Sequence, residues 1–255
     1  MSLLPLAAPV PPDWSLDWHA LHQSFDWIRA MKGCLQDPVH HAEGDVWIHV
    51  RMVCESLIQL PEWRSLPPKE RDLVFAAALL HDVAKPRCTR TEHGRLTSRG
   101  HSERGAIDAR RILWEHGADI VQREQICAMI RYHQTPFFLI DRDDAERMAL
   151  LISQQVRCDH LAILATADAS GRRCKDQQDL LTKVALFEEY CRERGCLHQP
   201  WLFGDPLSRF EYFRQQDRDP HYRVHDSYRS EVILMSGSPV RVRIRGCDSM
   251  CRTCQ

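Results

Sequence analysis

The stretch KERDLVFAAALLHDVAKP, residues 69–86, decides the fold of this 255-residue chain. Apolar side chains surround its middle on nearly every side, which is typical of a helix at the centre of a bundle rather than on its surface. Pro86 ends this helix, because proline cannot continue the backbone hydrogen-bond ladder. The stretch therefore predicts an all-α protein built around one buried helix.

Helical spacing of apolar residues recurs on both sides of this centre. Val46, Val50, Val53 and Leu57 share one face of a preceding helix. Later helical patterns cover residues 102–116, 119–132, 146–155, 160–169 and 176–194, and the polar residues 87–99 are predicted to form a loop. Strand-like alternation is almost absent before residue 230. The fold class is thus an all-α bundle, followed by a short irregular tail with one strand-like segment.

Four regions follow from these patterns, and the length suits one domain of about 150 to 200 residues plus appendages. Residues 1–45 are interpreted as an N-terminal docking segment, and residues 46–194 as the main helical domain. Residues 195–230 are charged and aromatic and are interpreted as a linker. Residues 231–255 contain the strand-like segment, EVILMSG.

Two ionisable residues, His81 and Asp82, stand together at the end of the buried helix. Burying them is costly unless each is paired, hydrogen-bonded or bound to a metal. Imidazole and carboxylate ligands suit Mn, Fe, Co, Ni, Zn or Mg. His49, on the preceding helix, and Asp168, in ATADASGR at 165–172, are the two further ligands that we predict.

The order H, HD, D resembles the HD superfamily of metal-dependent phosphohydrolases over about residues 46–194. HD-x-x-KP, GHSERGA at 100–106 and RYHQTP at 131–136 look most like the HD domain of CCA-adding tRNA nucleotidyltransferases. The resemblance implies an HD-domain helical bundle that hydrolyses phosphomonoesters or cyclic phosphodiesters of nucleotides or RNA ends.

In dinuclear members of that superfamily, extra histidines hold a second metal, and His101 and His133 stand at the matching places. By this analogy Asp82 bridges the two ions. Mononuclear members also exist, so one or two divalent metals are expected. His101 is also suited to capping the helix beside Ser102, and His133 to interacting with the C-terminal helix dipole.

The chemistry expected of such a site is hydrolysis by water that the metal activates beside a neutralised phosphate. Asp82 and Lys85 are the predicted catalytic residues. Lys85 follows Asp82 by three residues, near the same helix face, and is a candidate phosphate clamp. Arg104 and Arg131, each close in sequence to one of the extra histidines, are further phosphate-binding candidates.

The overall composition argues against several partners. Lys and Arg total 34 and Asp and Glu total 35, so the charge indicates neither a nucleic-acid coat nor a membrane surface. No apolar run approaches the roughly 18 residues of a membrane span, and prolines interrupt the N-terminal apolar stretch. We expect a cytoplasmic protein whose eleven cysteines are mostly reduced. The oligomeric state is left open.

The C-terminal residues resemble an interrupted motif. EVILMSGSP at 231–239 has the form of a strand running into a P-loop, but Gly-Lys-Ser/Thr does not follow. Codons compatible with residues 240–246 spell Gly-Ser-Gly-Lys-Asp-Thr-Trp in a neighbouring frame, which resembles the P-loop of polynucleotide-kinase-like domains. We therefore interpret residues 231–255 as the truncated, frameshifted start of such a domain.

The same tail contains Cys247, Cys251 and Cys254, spaced C-x3-C-x2-C as in radical enzymes with an iron–sulfur cluster. No cluster is expected here, because in those enzymes the motif follows an early strand of a large barrel. Besides the hydrolase, two interpretations stay open. One is a non-catalytic nucleotide- or RNA-binding HD module left from an HD–kinase fusion involved in RNA end repair. The other is a truncated gene product without function.

Overall fold

The computed structural model of the protein describes residues 8–218, 231–233 and 241–243. The chain is mainly helical, as the sequence predicts. The helices are α1 (Trp18–Ser24), α2 (Asp26–Met31), α3 (Val46–Leu57), α4 (Pro61–Ser65), α5 (Pro68–Leu80), α6 (Lys85–Cys88), α7 (His101–Glu115), α8 (Ile120–Tyr132), α9 (Ala145–Ser153), α10 (Cys158–Ser170), α11 (Gln177–Glu193) and α12 (Pro206–Arg218). Short 3-10 helices cover Thr135–Phe137 and Leu139–Asp141.

Helix α5 lies at the centre of the bundle and packs against α3, α8 and α10. Every residue from Leu73 to Leu80 is buried, which agrees with the apolar character of this helix on all sides. Pro68 stands in the first turn, where a missing N–H costs nothing. The helix ends at Leu80 and not at Pro86, which instead lies in the first turn of α6. His81 and Asp82 therefore emerge from the middle of the core.

Polar residues and glycines fix where the helices around α5 begin. The Asp45 carboxylate accepts a hydrogen bond from the N–H of Ile48 and caps α3, and the Asp119 carboxylate caps α8 in the same way. Gly100 has φ +73° immediately before α7, a conformation that glycine adopts without strain. These starts set the rotation of the helices about their axes, and hence which side chains face the centre.

Helices α3 and α10 approach each other closely at Gly171. A Cβ atom at this position would stand 2.7 Å from the backbone nitrogen of Val53, so only glycine fits. The close approach brings the C-terminal half of α10, which carries Asp168, against the helix that carries His49.

Three local features differ from the sequence prediction. The expected loop at 87–99 contains an antiparallel hairpin of β1 (Arg90–Glu92) and β2 (Arg95–Thr97). In the docking segment, Trp18, Leu21, Phe25 and Ile28 have the spacing of a single helix, but the extended backbone of Phe25 separates α1 from α2. In the tail, β3 (Glu231–Ile233) pairs antiparallel with β4 (Arg241–Arg243), where one strand was expected. The rest of the kinase-like segment and the three tail cysteines lie outside the described residues.

The residues after 194, predicted to be a linker, contribute to the core. Cys196, Leu197 and Tyr212 are buried within the same apolar cluster as the bundle, because the chain folds back from the end of α11 onto the start of α10. The bundle therefore extends beyond residue 194. None of the helices in the described part of the chain has the length and apolar character needed to cross a membrane.

Candidate metal centre

The four predicted ligands meet beside the C-terminal end of α5. His49 Nε2 lies 3.2 Å from Asp168 Oδ1 and 3.6 Å from Asp82 Oδ2. His81 Nε2 lies 3.2 Å from Asp82 Oδ2 and 3.3 Å from His49 Nε2. Helices α3 and α10 and the turn after α5 thus direct four nitrogen or oxygen donors to one point. We call His49 and His81 the inner pair.

Two further histidines face the other oxygen of the same carboxylate. His101 Nε2 lies 3.3 Å from Asp82 Oδ1, and His133 Nε2 lies 4.0 Å from it. The two Nε2 atoms are 3.4 Å apart. We call His101 and His133 the outer pair. Asp82 consequently presents one oxygen to each pair.

The other ring nitrogen of each histidine faces an oxygen atom, and in three of the four it makes a hydrogen bond. The Nδ1 atoms of His81, His101 and His133 donate to main-chain carbonyls three residues earlier, each at 2.7 Å. Nδ1 of His49 lies 3.0 Å from a carboxylate oxygen of Glu43. A proton fixed on Nδ1 leaves the Nε2 lone pair pointing into the centre, as metal-binding histidines require.

These donors fit a cation better than they fit one another. Nε2 lone pairs and carboxylate oxygens stand 3.2 to 3.6 Å apart in the inner part of the centre, where acceptor atoms repel unless positive charge lies between them. Both carboxylate oxygens of Asp82 are buried without a well-aligned hydrogen bond, although the Lys85 ammonium lies 2.8 Å from Oδ2. A buried carboxylate whose oxygens lack well-aligned hydrogen bonds is suited to bind a divalent metal.

The pKa shifts of Asp82 and His81 reflect the same preference for positive charge in the inner part of the centre. Burial alone would raise the pKa of Asp82, but His81 and Lys85 outweigh burial and hold that pKa well below its ordinary value. Burial alone would lower the pKa of His81, but Asp82 and Asp168 outweigh it and raise that pKa. In the outer pair, burial and the neighbouring histidines lower the pKa of His133 to about 3, so its ring is neutral.

Two residues that the sequence analysis did not single out support the inner pair. Arg172 binds both oxygens of Asp168, with Nε at 2.9 Å and Nη2 at 2.6 Å, and lies over the Phe137 ring. Glu43 contacts His49 and also accepts a hydrogen bond from the backbone N–H of Arg173. Both fix the orientation of a ligand. Only the contact of Arg172 could have been predicted from the sequence. Arg172 follows Asp168 by four residues, and residues at this spacing share one helix face.

A cleft of about 750 Å³ opens on the outer side of the centre. His101 stands in its wall, together with Lys85, Arg131 and Arg172, and the half-exposed Phe138 ring lies at its rim. Lys85 is buried, and its ammonium donates to Gln36 Oε1 at 2.7 Å. Acidic side chains, among them Asp37 and Asp176, line the same cleft.

The three phosphate-binding candidates differ in their position relative to the cleft. Lys85 and Arg131 line the cleft, and Arg131 also lies over the ring of Tyr132. Arg104 instead points to Asp108, with its Nε 3.4 Å from Oδ1, and is not part of the cleft wall. Its predicted place near the phosphate site is therefore not what the structure shows.

Residues 46–171 match the family model described as the HD domain. This span, just under half of the chain, is similar to an HD domain. The match contains both histidine pairs, Asp82 and Asp168. HD domains constitute a superfamily of metal-dependent phosphohydrolases, which agrees with the donor set described above.

Two curated relatives resemble part of this chain. Both are bifunctional uridylyltransferase/uridylyl-removing enzymes, one from Nitrobacter winogradskyi and one from Bradyrhizobium diazoefficiens. Each is 32% identical over 114 residues, which amount to 42% of this chain and 11% of the relative. The chain thus spans only a small part of the length of these relatives.

Proposed function

We propose that this chain is a metal-dependent phosphohydrolase that cleaves phosphomonoesters or phosphodiesters of nucleotides or RNA ends. The observation that carries the proposal is the position of Asp82. Its two oxygens face two histidine pairs, and His101 of the outer pair stands in the wall of a cleft that Lys85 and Arg131 also line. The proposal is supported by this closeness of nitrogen and oxygen donors to cationic side chains that suit a phosphate.

The residues divide into two sets of ligands with one shared member. His49, His81, Asp168 and Asp82 Oδ2 would hold one divalent ion, and His101, His133 and Asp82 Oδ1 would hold a second. A divalent cation in such a centre lowers the pKa of water and draws charge off phosphoryl oxygens. Arg172 keeps Asp168 in its ligating orientation, and the Nδ1 hydrogen bonds of His81, His101 and His133 fix how those rings are turned.

Lys85 and Arg131 would bind the phosphate. The Lys85 ammonium has three N–H groups, of which one faces Gln36 and one faces Asp82. The third is available to a phosphoryl oxygen in the cleft. The Arg131 guanidinium stands in the same wall and supplies a second, charge-assisted contact. Phe138, exposed at the rim, offers a surface on which a base can stack.

The class of ester is supported by two resemblances. The curated relatives include a uridylyl-removing activity in their name, and removing a uridylyl group is hydrolysis of a phosphodiester. The HDVAKP, GHSERGA and RYHQTP motifs resemble the HD domain of CCA-adding tRNA nucleotidyltransferases, which points to 2′,3′-cyclic phosphates at RNA ends. Both resemblances favour a phosphodiester joined to a nucleoside over a simple phosphomonoester.

The test uses metal-stripped protein resupplied with Mn, Ni, Co, Fe, Zn or Mg. Hydrolysis of bis-p-nitrophenyl phosphate, p-nitrophenyl phosphate and 2′,3′-cyclic AMP is measured for the wild type, for Asp82→Asn and for the control Asp108→Asn, which alters a nearby buried carboxylate. We expect metal-dependent turnover, fastest on the diesters, that is lost in Asp82→Asn and kept in Asp108→Asn. Folded, metal-loaded protein that is silent on all three esters would instead indicate the non-catalytic binding module.

A further inference from the structure

We call the two histidine pairs together with Asp82 and Asp168 the HD centre. Three cysteines that do not belong to it meet elsewhere in the core. Cys158 is the first residue of α10, Cys191 lies near the end of α11, and Cys196 lies in the turn that follows. All three are fully buried. Their sulfur atoms lie within 4.8 Å of one another. We call this group the cysteine cluster.

A left-handed turn and two backbone hydrogen bonds bring the three cysteines together. Gly195, with φ +68°, ends α11 in the left-handed conformation. The N–H of Cys196 donates to the carbonyl of Cys191 at 2.9 Å. The N–H of Asp159 then donates to the carbonyl of Leu197 at 3.0 Å. The chain therefore returns from the end of α11 to the first turn of α10 and brings three thiols together.

This clustering is distinct from the placement of the other described cysteines. Cys34, Cys54, Cys88, Cys127 and Cys174 are free thiols as well, yet within residues 8–214 the cysteine cluster is the one group of three possible metal ligands made up of cysteines alone. A single buried thiol behaves as a small apolar residue. Three sulfur atoms converging on one point form a ligand set for a soft metal.

We propose that Cys158, Cys191 and Cys196 form a second metal site, which binds a thiophilic cation of the Zn²⁺ or Cu⁺ class. Three thiolates alone match the trigonal coordination of Cu⁺. Zn²⁺ prefers a fourth ligand, and His198 stands two residues after Cys196, with its Nδ1 2.9 Å from Asp159 Oδ2. A Zn²⁺ ion at the three thiolates would therefore take water or another donor as its fourth ligand.

The site would fasten α10 to the end of α11. Cys158 and Asp168 stand ten residues apart on α10, which is about 15 Å along a helix. A metal at the cysteine cluster would hold the N-terminal end of the helix whose other end carries a ligand of the HD centre. Because such a metal binds the folded state and not the unfolded state, it would raise the melting temperature.

Co²⁺ distinguishes the cysteine cluster from the HD centre. Thiolate ligands give Co²⁺ an intense ligand-to-metal charge-transfer band, whereas imidazole and carboxylate ligands give only weak visible bands. The full chain is refolded with Co²⁺ as the wild type, Asp82→Asn, Cys196→Ser and the matched buried control Cys127→Ser. We expect the charge-transfer band in all of them except Cys196→Ser.

A further variant, with Cys247, Cys251 and Cys254 all changed to Ser, removes the tail cysteines as a source of the signal and should keep the band. Metal analysis of Asp82→Asn after loading with Zn²⁺ or Cu⁺ then shows which ion remains, with one equivalent expected. If Cys196→Ser does not fold, Cys191→Ala takes its place. A wild type without the band, a band that vanishes with the tail cysteines, or a disulfide within the freshly purified cluster would each overturn the proposal. None of these outcomes affects the hydrolase assignment.

Discussion

The inner and outer pairs share Asp82 but lie in different surroundings. His49 and His81 are completely buried, and the side chains of Glu43 and Arg172 steady the inner ligands. The Nδ1 atoms of the outer pair donate to main-chain carbonyls, and His101 stands in the wall of the cleft. Under the proposed function, this difference predicts a division of roles in which the inner pair retains its metal and the outer pair meets the substrate.

The most severe test of this division compares His81→Gln with His101→Gln. Loss of His81 should remove the inner metal and reduce turnover on the order of 1,000-fold, because several kcal/mol of charge stabilisation disappear. His101→Gln should leave one metal bound per HD centre and reduce turnover on the order of 100-fold. Metal content and diester hydrolysis are measured on the same preparations, and equal losses in both variants would contradict the division.

The inner ligands could be predicted from the sequence, while the residues around them could not. His81 and Asp82 stand out because a buried apolar helix cannot end in two ionisable groups without a reason. His101 and His133 required the family resemblance, since helix capping and dipole interactions account equally well for histidines at such positions. Glu43 contacts Arg173, 130 positions along the chain, and no local pattern encodes that contact.

The fold shows the same contrast between local and distant information. Long periodic segments predicted the helices, because apolar spacing is a local property. The hairpin at Arg90–Glu92 and Arg95–Thr97 was missed because three-residue polar strands carry no alternation. The burial of Tyr212 was missed because it depends on where α12 packs and not on the composition of its own segment.

Glu43→Gln tests the inner pair alone, because it weakens the contact between Glu43 and His49 and leaves the outer pair unchanged. The amide keeps the shape of the side chain but no longer offers a charged acceptor to His49 Nδ1. Loss of such a partner costs roughly 10- to 100-fold in metal affinity. Competition with a chelator should show this loss for the more tightly held ion alone. Glu62→Gln, on the surface helix α4, is the control, and an unchanged affinity in Glu43→Gln would refute the assigned role.

Acid should lower the free energy of unfolding of the metal-free protein through His41, whose Nδ1 lies 2.8 Å from Glu43 Oε1. Burial lowers the pKa of His41 to about 4, whereas the unfolded chain has the ordinary value of about 6.5. The unfolded state therefore binds more protons below pH 6.5, and stability falls as the pH falls towards 4. Between about pH 7 and pH 5 the loss from this group is about 2 kcal/mol.

Urea unfolding of the metal-free wild type and of His41→Gln at both pH values measures this contribution. The variant should lose less stability on acidification than the wild type does. An identical loss in both proteins would show that His41 is not held neutral beside Glu43.

Arg131→Gln and Arg104→Gln test the outer side with the smallest expected effect. Arg131 lines the cleft, so losing one charge-assisted contact to phosphate should raise KM about tenfold with little change in kcat. Arg104 is paired with Asp108 outside the cleft wall, and its loss should change KM less than about twofold. Steady-state kinetics on a cyclic phosphodiester separates the two variants. A larger effect from Arg104 would mean that the substrate approaches the outer pair along α7 and not through the cleft, because Arg104 lies one helical turn from His101 on that helix.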